Sequence, residues 1–177
     1  EALKWATASR SAFGLSNVPV LVAGDSAGGN LAAVVARRSR DECINTISGQ
    51  ILICPVVQSE EIFPSQADED CQILIGIDDM RWFWNHYVGD VASRSHPDAS
   101  PLMEKNLGDL PPTLIITAEF DVNRDEAEEY GRRLKAAGTL VVDRRYDGEF
   151  HDFAVLIDLP SSSACLNEIR SFIESTL

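Results

Sequence analysis

A short apolar run that leads straight into a glycine-flanked serine fixes most of what this chain can fold into. Val18-Pro-Val-Leu-Val-Ala23 is apolar throughout, too short for a helix and without polar alternation, which predicts a strand buried on both faces of a parallel sheet. Gly24-Asp25-Ser26-Ala27-Gly28 follows. Ser26 to Arg38 then reads as a helix that buries Leu31, Val34 and Val35 and ends in arginines suited to its negative pole. A strand, a G-x-S-x-G turn and a helix, in that order, are the context of a nucleophile elbow. The turn is expected to be so tight that side chains at Gly24 and Gly28 would collide, while the serine hydroxyl projects above the strand end. The competing reading is a plain strand–turn–helix with Ser26 as the helix cap.

The rest of the chain keeps the same alternation. Ile47 to Val57 (centred on Gln50-Ile-Leu-Ile-Cys54), Thr113 to Ala118 and Leu140 to Tyr146 read as further strands. Asp125 to Ala137 reads as a helix with Glu126, Glu128 and Glu129 early and Arg132, Arg133 and Lys135 late, stopped by Gly138. Leu166, Ile169, Phe172 and Ile173 give a closing helix one apolar face. Glu1 to Phe13 reads as a helix with Leu3, Ala6 and Phe13 loosely on one side. It is entered without an initiator Met or a capping residue, which predicts that the chain is a fragment of something longer. Strands separated by helices are βαβ units, so the expected class is α/β, a predominantly parallel sheet with helices on both faces.

At 177 residues the chain is long enough for one domain. Residues 58–97 are the exception to the alternation. They begin with an acidic stretch (Ser59 to Asp70) and continue into Asp78 to Val88, where Met80, Phe83, Trp84 and Tyr87 recur at helical spacing. An insertion this long predicts a cap or lid. Phe83 and Trp84 are expected to anchor that cap to the core, the other reading being that they wall a substrate site.

Composition removes several classes of partner. A net charge of −13 repels phosphate backbones and anionic lipid, and no apolar run approaches the roughly 18–20 residues that span a bilayer. Cys43, Cys54, Cys71 and Cys165 form no CxxC pair and no metal-ligand spacing. They read as reduced thiols in a cytoplasmic protein, with no metal and no organic cofactor expected.

A serine hydroxyl needs a base, and the base needs an orienting acid. Behind a nucleophile elbow the chain order is Ser, then Asp or Glu, then His. Of the three histidines, His86 lies in the aromatic helix and His96 precedes Pro97 in a polar loop. His151 alone falls just after a strand, in Gly148-Glu-Phe-His-Asp-Phe153, and Asp121 follows the third strand in Ala118-Glu-Phe-Asp121. Glu119 and Asp125 compete with Asp121, but one borders the strand and the other the helix. The backbone N–H of Ala27, at a helix N-terminus, is placed to stabilise an oxyanion.

Gly24-Asp-Ser-Ala-Gly-Gly-Asn-Leu31 resembles the nucleophile segment of the hormone-sensitive lipase family of α/β-hydrolases, the lidded bacterial esterase and lipase group. Ala99-Ser-Pro-Leu102, Leu110-Pro-Pro-Thr113, Thr117-Ala-Glu-Phe-Asp121 with Arg124-Asp-Glu126, Arg145-Tyr-Asp-Gly148 leading to His151, and Met80-Arg-Trp-Phe-Trp-Asn-His-Tyr87 are similar too. The resemblance implies the α/β-hydrolase fold, with Ser26 as nucleophile, His151 as general base and then acid, and Asp121 as its orienter. It implies a small-molecule ester as substrate and leaves a homodimer open. The family's His-Gly-Gly motif, a source of oxyanion donors, is absent, since none of the three histidines precedes Gly. The resemblance therefore covers the C-terminal part of such an enzyme. Val122 and Asn123 stand where a Pro-Leu pair is common, and Asn123 is expected to make the acyl pocket more polar. Asp152 stands where Gly usually follows the histidine, and its charge is expected to favour the imidazolium.

The reading that follows is a serine carboxylesterase acting on short- to medium-chain esters through an acyl-enzyme; a related amidase is not separable from it by these motifs. The alternatives are a non-catalytic small-molecule receptor of the same fold, which lacks the working histidine, and an inactive fragment needing its N-terminal half. His151 in its expected place argues against the receptor.

Overall fold

The computed structural model describes residues 1–44, 46–59 and 62–176. Four strands, β1 (Val20–Asp25), β2 (Ile47–Ile53), β3 (Thr113–Phe120) and β4 (Val141–Phe150), lie side by side in chain order and are all parallel. Between and around them run α1 (Ala2–Ser9), α2 (Ala27–Asp41), α3 (Pro64–Ala67), α4 (Ile77–Tyr87), α5 (Arg124–Ala136) and α6 (Pro160–Thr176).

Side-chain alternation along the strands builds two cores. Leu52 and Ile115 point to one face, against Ala32 and Ala33 of α2 and Ala127, Tyr130 and Leu134 of α5. Ile51, Leu114, Ile116 and Ala118 point to the other, against Cys165 and Phe172 of α6. The central strands β2 and β3 are thus covered on both sides, as their apolar runs predict. A glycine in α2 lets the helix lie close to the chain leaving β2: a Cβ on Gly29 would come within 2.8 Å of the Pro55 side chain.

The strand boundaries shift for local reasons. β1 starts at Val20, two residues later than expected, because Pro19 has no N–H to give a ladder. β1 is also the sheet's edge and only half-buried, with Ala23 exposed, so burial on both faces does not hold for it. β2 ends at Ile53, not Val57; Cys54 takes φ 42° and turns the chain out of the sheet. β4 runs on past Tyr146 to Phe150. Gly148, at φ 79°, absorbs the irregularity there while its N–H donates to the Glu119 carboxylate at 2.7 Å.

Helical faces also differ from their sequence patterns. Leu31 is 53 % exposed although it belongs to the expected apolar stripe of α2; it faces a cavity beside Ser26. In α6, Leu166 is exposed and Cys165 takes the inward position. In α4 only Met80 and Trp84 enter the core, with Val56, Ala99 and Val122, while Phe83 and Tyr87 stay exposed. The N-terminal helix ends at Ser9 and gives way to a 3-10 turn over Arg10–Phe13 with no buried residue. Of the acidic stretch, Glu60 and Glu61 lie outside the described residues.

Candidate active site

Each strand delivers one polar residue to the same end of the sheet, its carboxyl end, where open α/β sheets place ligands. After β1 comes Ser26, after β2 Cys54, after β3 Asp121, and after β4 His151.

Ser26 sits in the strand-to-helix turn at φ 54°, ψ −116°, a conformation that costs a non-glycine residue energy and is held by its surroundings. Its N–H donates to the Ile53 carbonyl at 2.8 Å and its carbonyl accepts from Asn30 at 3.1 Å. Its side chain makes no capping bond to α2, so the plain-cap reading fails. The glycine requirement is only half as expected. A Cβ on Gly24 would fall 2.0 Å from the Gly28 carbonyl oxygen, whereas one on Gly28 would meet nothing within 4 Å. The second tight position is Gly29, pressed against Pro55.

The structure brings the three predicted residues together. The Ser26 Oγ lies 2.9 Å from His151 Nε2, and His151 Nδ1 lies 3.0 Å from Asp121 Oδ2. The second contact has ion-pair distance with its N–H directed off the line to the oxygen. Asp121 and His151 are both buried. Asp121 Oδ1 also accepts the Asn123 N–H at 2.9 Å, which fixes the carboxylate's orientation.

The competing residues are occupied elsewhere. Glu119 holds Gly148, and Asp125 accepts the Ser65 N–H at 2.8 Å and pairs with Arg124 at 2.7 Å. His86 Nδ1 contacts the Trp82 carbonyl at 2.8 Å, and His96 Nδ1 accepts the Asp98 N–H at 3.1 Å. Ala27 is the first residue of α2, where backbone N–H groups lack helical partners, and it lines the cavity with Ser26.

Burial works against a charged His151, but the close contact and charge of Asp121, then the charges of Asp152 and Asp25, outweigh it and raise its pKa above the ordinary 6.5. Asp25 is pushed up to about 6, first by burial and then by Asp152. Burial pushes the Cys54 thiol well above its usual range. Cys54, Asp121 and His151 offer ligand atoms within 4.8 Å of one another, but a thiol held protonated and a histidine engaged on both nitrogens make a poor cation cage.

A cavity of about 530 Å³ opens beside the serine, walled by Leu31, Val56, Met80, Phe83 and Trp84. Both Phe83 and Trp84 line it, but only Trp84 also packs into the core with Met80, so the anchoring expectation holds for Trp84 and not for the exposed Phe83. Asn123 does not line this cavity; it is fully buried and neither side-chain amide atom has a partner. Sequence reasoning missed Asn30, whose Nδ2 donates to the Val56 and Ala99 carbonyls at 2.9 and 2.7 Å. That pair of bonds ties two loops to the base of α2. Its only sequence signal is its place in Gly28-Gly29-Asn30.

Comparison with known proteins gives one family. A family model described as alpha/beta hydrolase fold matches residues 1–155. The carboxylic ester hydrolase LipN of Mycobacterium tuberculosis is 38 % identical over 93 % of this chain and 46 % of its own length. The gibberellin receptor GID1A of Arabidopsis thaliana is 27 % identical over 90 % of this chain and 47 % of its own. Among solved structures, EstE1, a thermostable carboxylesterase cloned from a metagenomic library, superposes with a TM-score of 0.94 at 35 % identity, over 99 % of this chain and 61 % of its own. The chain spans about half the length of the curated relatives it matches.

Proposed function

The chain belongs to the hormone-sensitive lipase family of α/β-hydrolases, and from that premise we propose that it carries the serine centre of a carboxylesterase acting on short- to medium-chain esters. The observation that carries this reading is the 2.9 Å contact between Ser26 Oγ and His151 Nε2, with Asp121 3.0 Å from the other ring nitrogen. Mutual reach of nucleophile, base and orienter is what activation of a serine requires.

In this mechanism neutral His151 takes the Ser26 proton on Nε2 as Oγ attacks the ester carbonyl. Asp121 keeps Nδ1 protonated and stabilises the imidazolium that forms. The Ala27 N–H, aided by the positive end of α2, binds the tetrahedral oxyanion. A donor of this kind is worth about 10²–10³ in kcat. His151 then protonates the leaving alcohol, and in the second half it activates water to release the acid and free Ser26. The apolar cavity takes the hydrocarbon part of the substrate, and residues 58–97 act as its cap. Four free cysteines accord with a reducing, cytoplasmic setting, and no helix of the described residues is long and apolar enough to cross a membrane.

The test is hydrolysis of a series of p-nitrophenyl esters from acetate to laurate, by the wild-type chain and Ser26→Ala. The proposal expects turnover favouring the shorter acyl chains and a loss of about 10³-fold or more in the variant. Equal turnover by both proteins would overturn it.

A further inference from the structure

His151 has three carboxylates around it. Asp121 faces Nδ1 from the end of β3. Asp152 Oδ1 lies 3.2 Å from Nε2, the same nitrogen that Ser26 Oγ meets at 2.9 Å. Asp25, from the end of β1, adds its charge beside Asp152 and His151. The remaining titratable neighbours are thiols: Cys54 after β2, and Cys165 of α6, pushed up to about 11 by burial and then by Asp25 and Glu168. Among the described residues no Lys or Arg pairs with Asp25, Asp121 or Asp152.

The second contact on Nε2 is the unusual one. Nε2 carries a single proton when charged and a single lone pair when neutral. With the ring neutral, that lone pair accepts the serine hydroxyl, and the Asp152 oxygen at 3.2 Å opposes it as acceptor against acceptor. With the ring charged, the Nε2 proton has two claimants, and an ionised carboxylate is a stronger acceptor than a hydroxyl. The Asp152 Oδ1 is buried and has no hydrogen-bond partner, so it meets Nε2 at ion-pair distance, with the N–H directed off the line to it. Its backbone, at φ 61°, is the left-handed conformation that a glycine would adopt freely. The side chain is therefore added to a turn that does not need one.

We propose that Asp152 is a positioning residue that competes with Ser26 for the Nε2 proton of His151, so that this chain's serine becomes active at higher pH than it would with glycine at that position. The inference rests on the hydrolase reading for its kinetic consequence but not for the titration itself. Below the pKa of His151, Asp152 holds the imidazolium and the serine has no base. Above it, the same carboxylate strengthens the base and stabilises the imidazolium that forms as Ser26 attacks. Removing the charge should therefore raise activity on the acid side and lower it on the alkaline side. A merely structural role would lower both.

The test uses the whole chain labelled with ¹⁵N-histidine. It has three imidazoles, and His86→Gln and His96→Gln assign them. His151 is titrated in wild type, Asp152→Asn and Asp152→Gly, and kcat/KM is followed over the same pH range. The proposal expects the His151 pKa to fall by roughly one unit in both variants, a tenfold change in proton affinity. The acid limb of kcat/KM moves with it, and the variant and wild-type profiles cross. An unchanged His151 titration in either folded variant overturns the proposal. A shifted titration in chains that hydrolyse no ester upholds the Asp152–His151 contact and counts against the esterase reading instead.

Discussion

The carboxylate of Glu126 accepts the backbone N–H of Val57 at 2.7 Å, joining the start of α5 to the chain leaving β2 across 69 residues of sequence. Gln66 of α3 donates to the other oxygen at 3.0 Å. Glu126 is fully buried, and burial, opposed by the bonds from Val57 and Gln58, pushes its pKa up to about 8 from an ordinary 4.5. The folded state thus keeps a proton that the unfolded chain releases. Its contribution to stability is fully present below about pH 4.5 and is lost as pH rises through 8, on the order of 5 kcal/mol in total. Urea unfolding at pH 6 and pH 9 should show a stability drop that is much smaller in Glu126→Gln. Equal drops in both proteins would rule out this source.

Asn123 buries an amide with no partner for either atom. Leucine has the same side-chain skeleton without the polar atoms, and the backbone N–H that orients Asp121 is untouched. Asn123→Leu should raise stability by about 1–3 kcal/mol, read from denaturant midpoints, with ester turnover unchanged. A destabilised variant would mean that the amide is satisfied.

Trp84 and Phe83 should separate stability from selectivity. Trp84 is 6 % exposed and packs with Met80 and Val122, whereas Phe83 is 46 % exposed. Trp84→Ala is expected to cost about 3–5 kcal/mol. Phe83→Ala should cost little stability but shift the acyl-chain preference towards longer esters. Unaltered preference in Phe83→Ala would leave the cavity wall without a role in selection.

The two glycines of the serine turn should behave differently. Gly24→Ala places a Cβ 2.0 Å from a carbonyl oxygen and should prevent folding or destroy activity. Gly28→Ala has free space and lies in α2, where alanine is favoured by up to about 1 kcal/mol. Thermal melts and turnover of the two variants decide it, and equal damage from both would contradict the packing described.

The residues that were readable from sequence are those whose chemistry is local. Ser26 is marked by a turn, and Asp121 and His151 each follow a strand end, so chain order alone places them. What was unreadable depends on the other side of a contact. Leu31 has the periodicity of a core residue but meets a cavity, because the chain above α2 leaves room there. Cys165 displaces Leu166 from the interior because the space beneath α6 is shared with Phe153 and Phe172. Asp152 announces a charge beside His151, but only the fold directs it to Nε2 rather than Nδ1. Glu126 reads as one acidic residue in a helix start; its burial arises from chain folded over it 60 to 69 residues earlier.

The most direct measurement is intact-mass spectrometry of the chain after exposure to a fluorophosphonate, in which an activated serine oxygen bonds phosphorus and fluoride leaves. The account predicts one adduct on the wild-type chain and none on Ser26→Ala. An unmodified, folded wild-type chain, or an adduct that persists in Ser26→Ala, would contradict it.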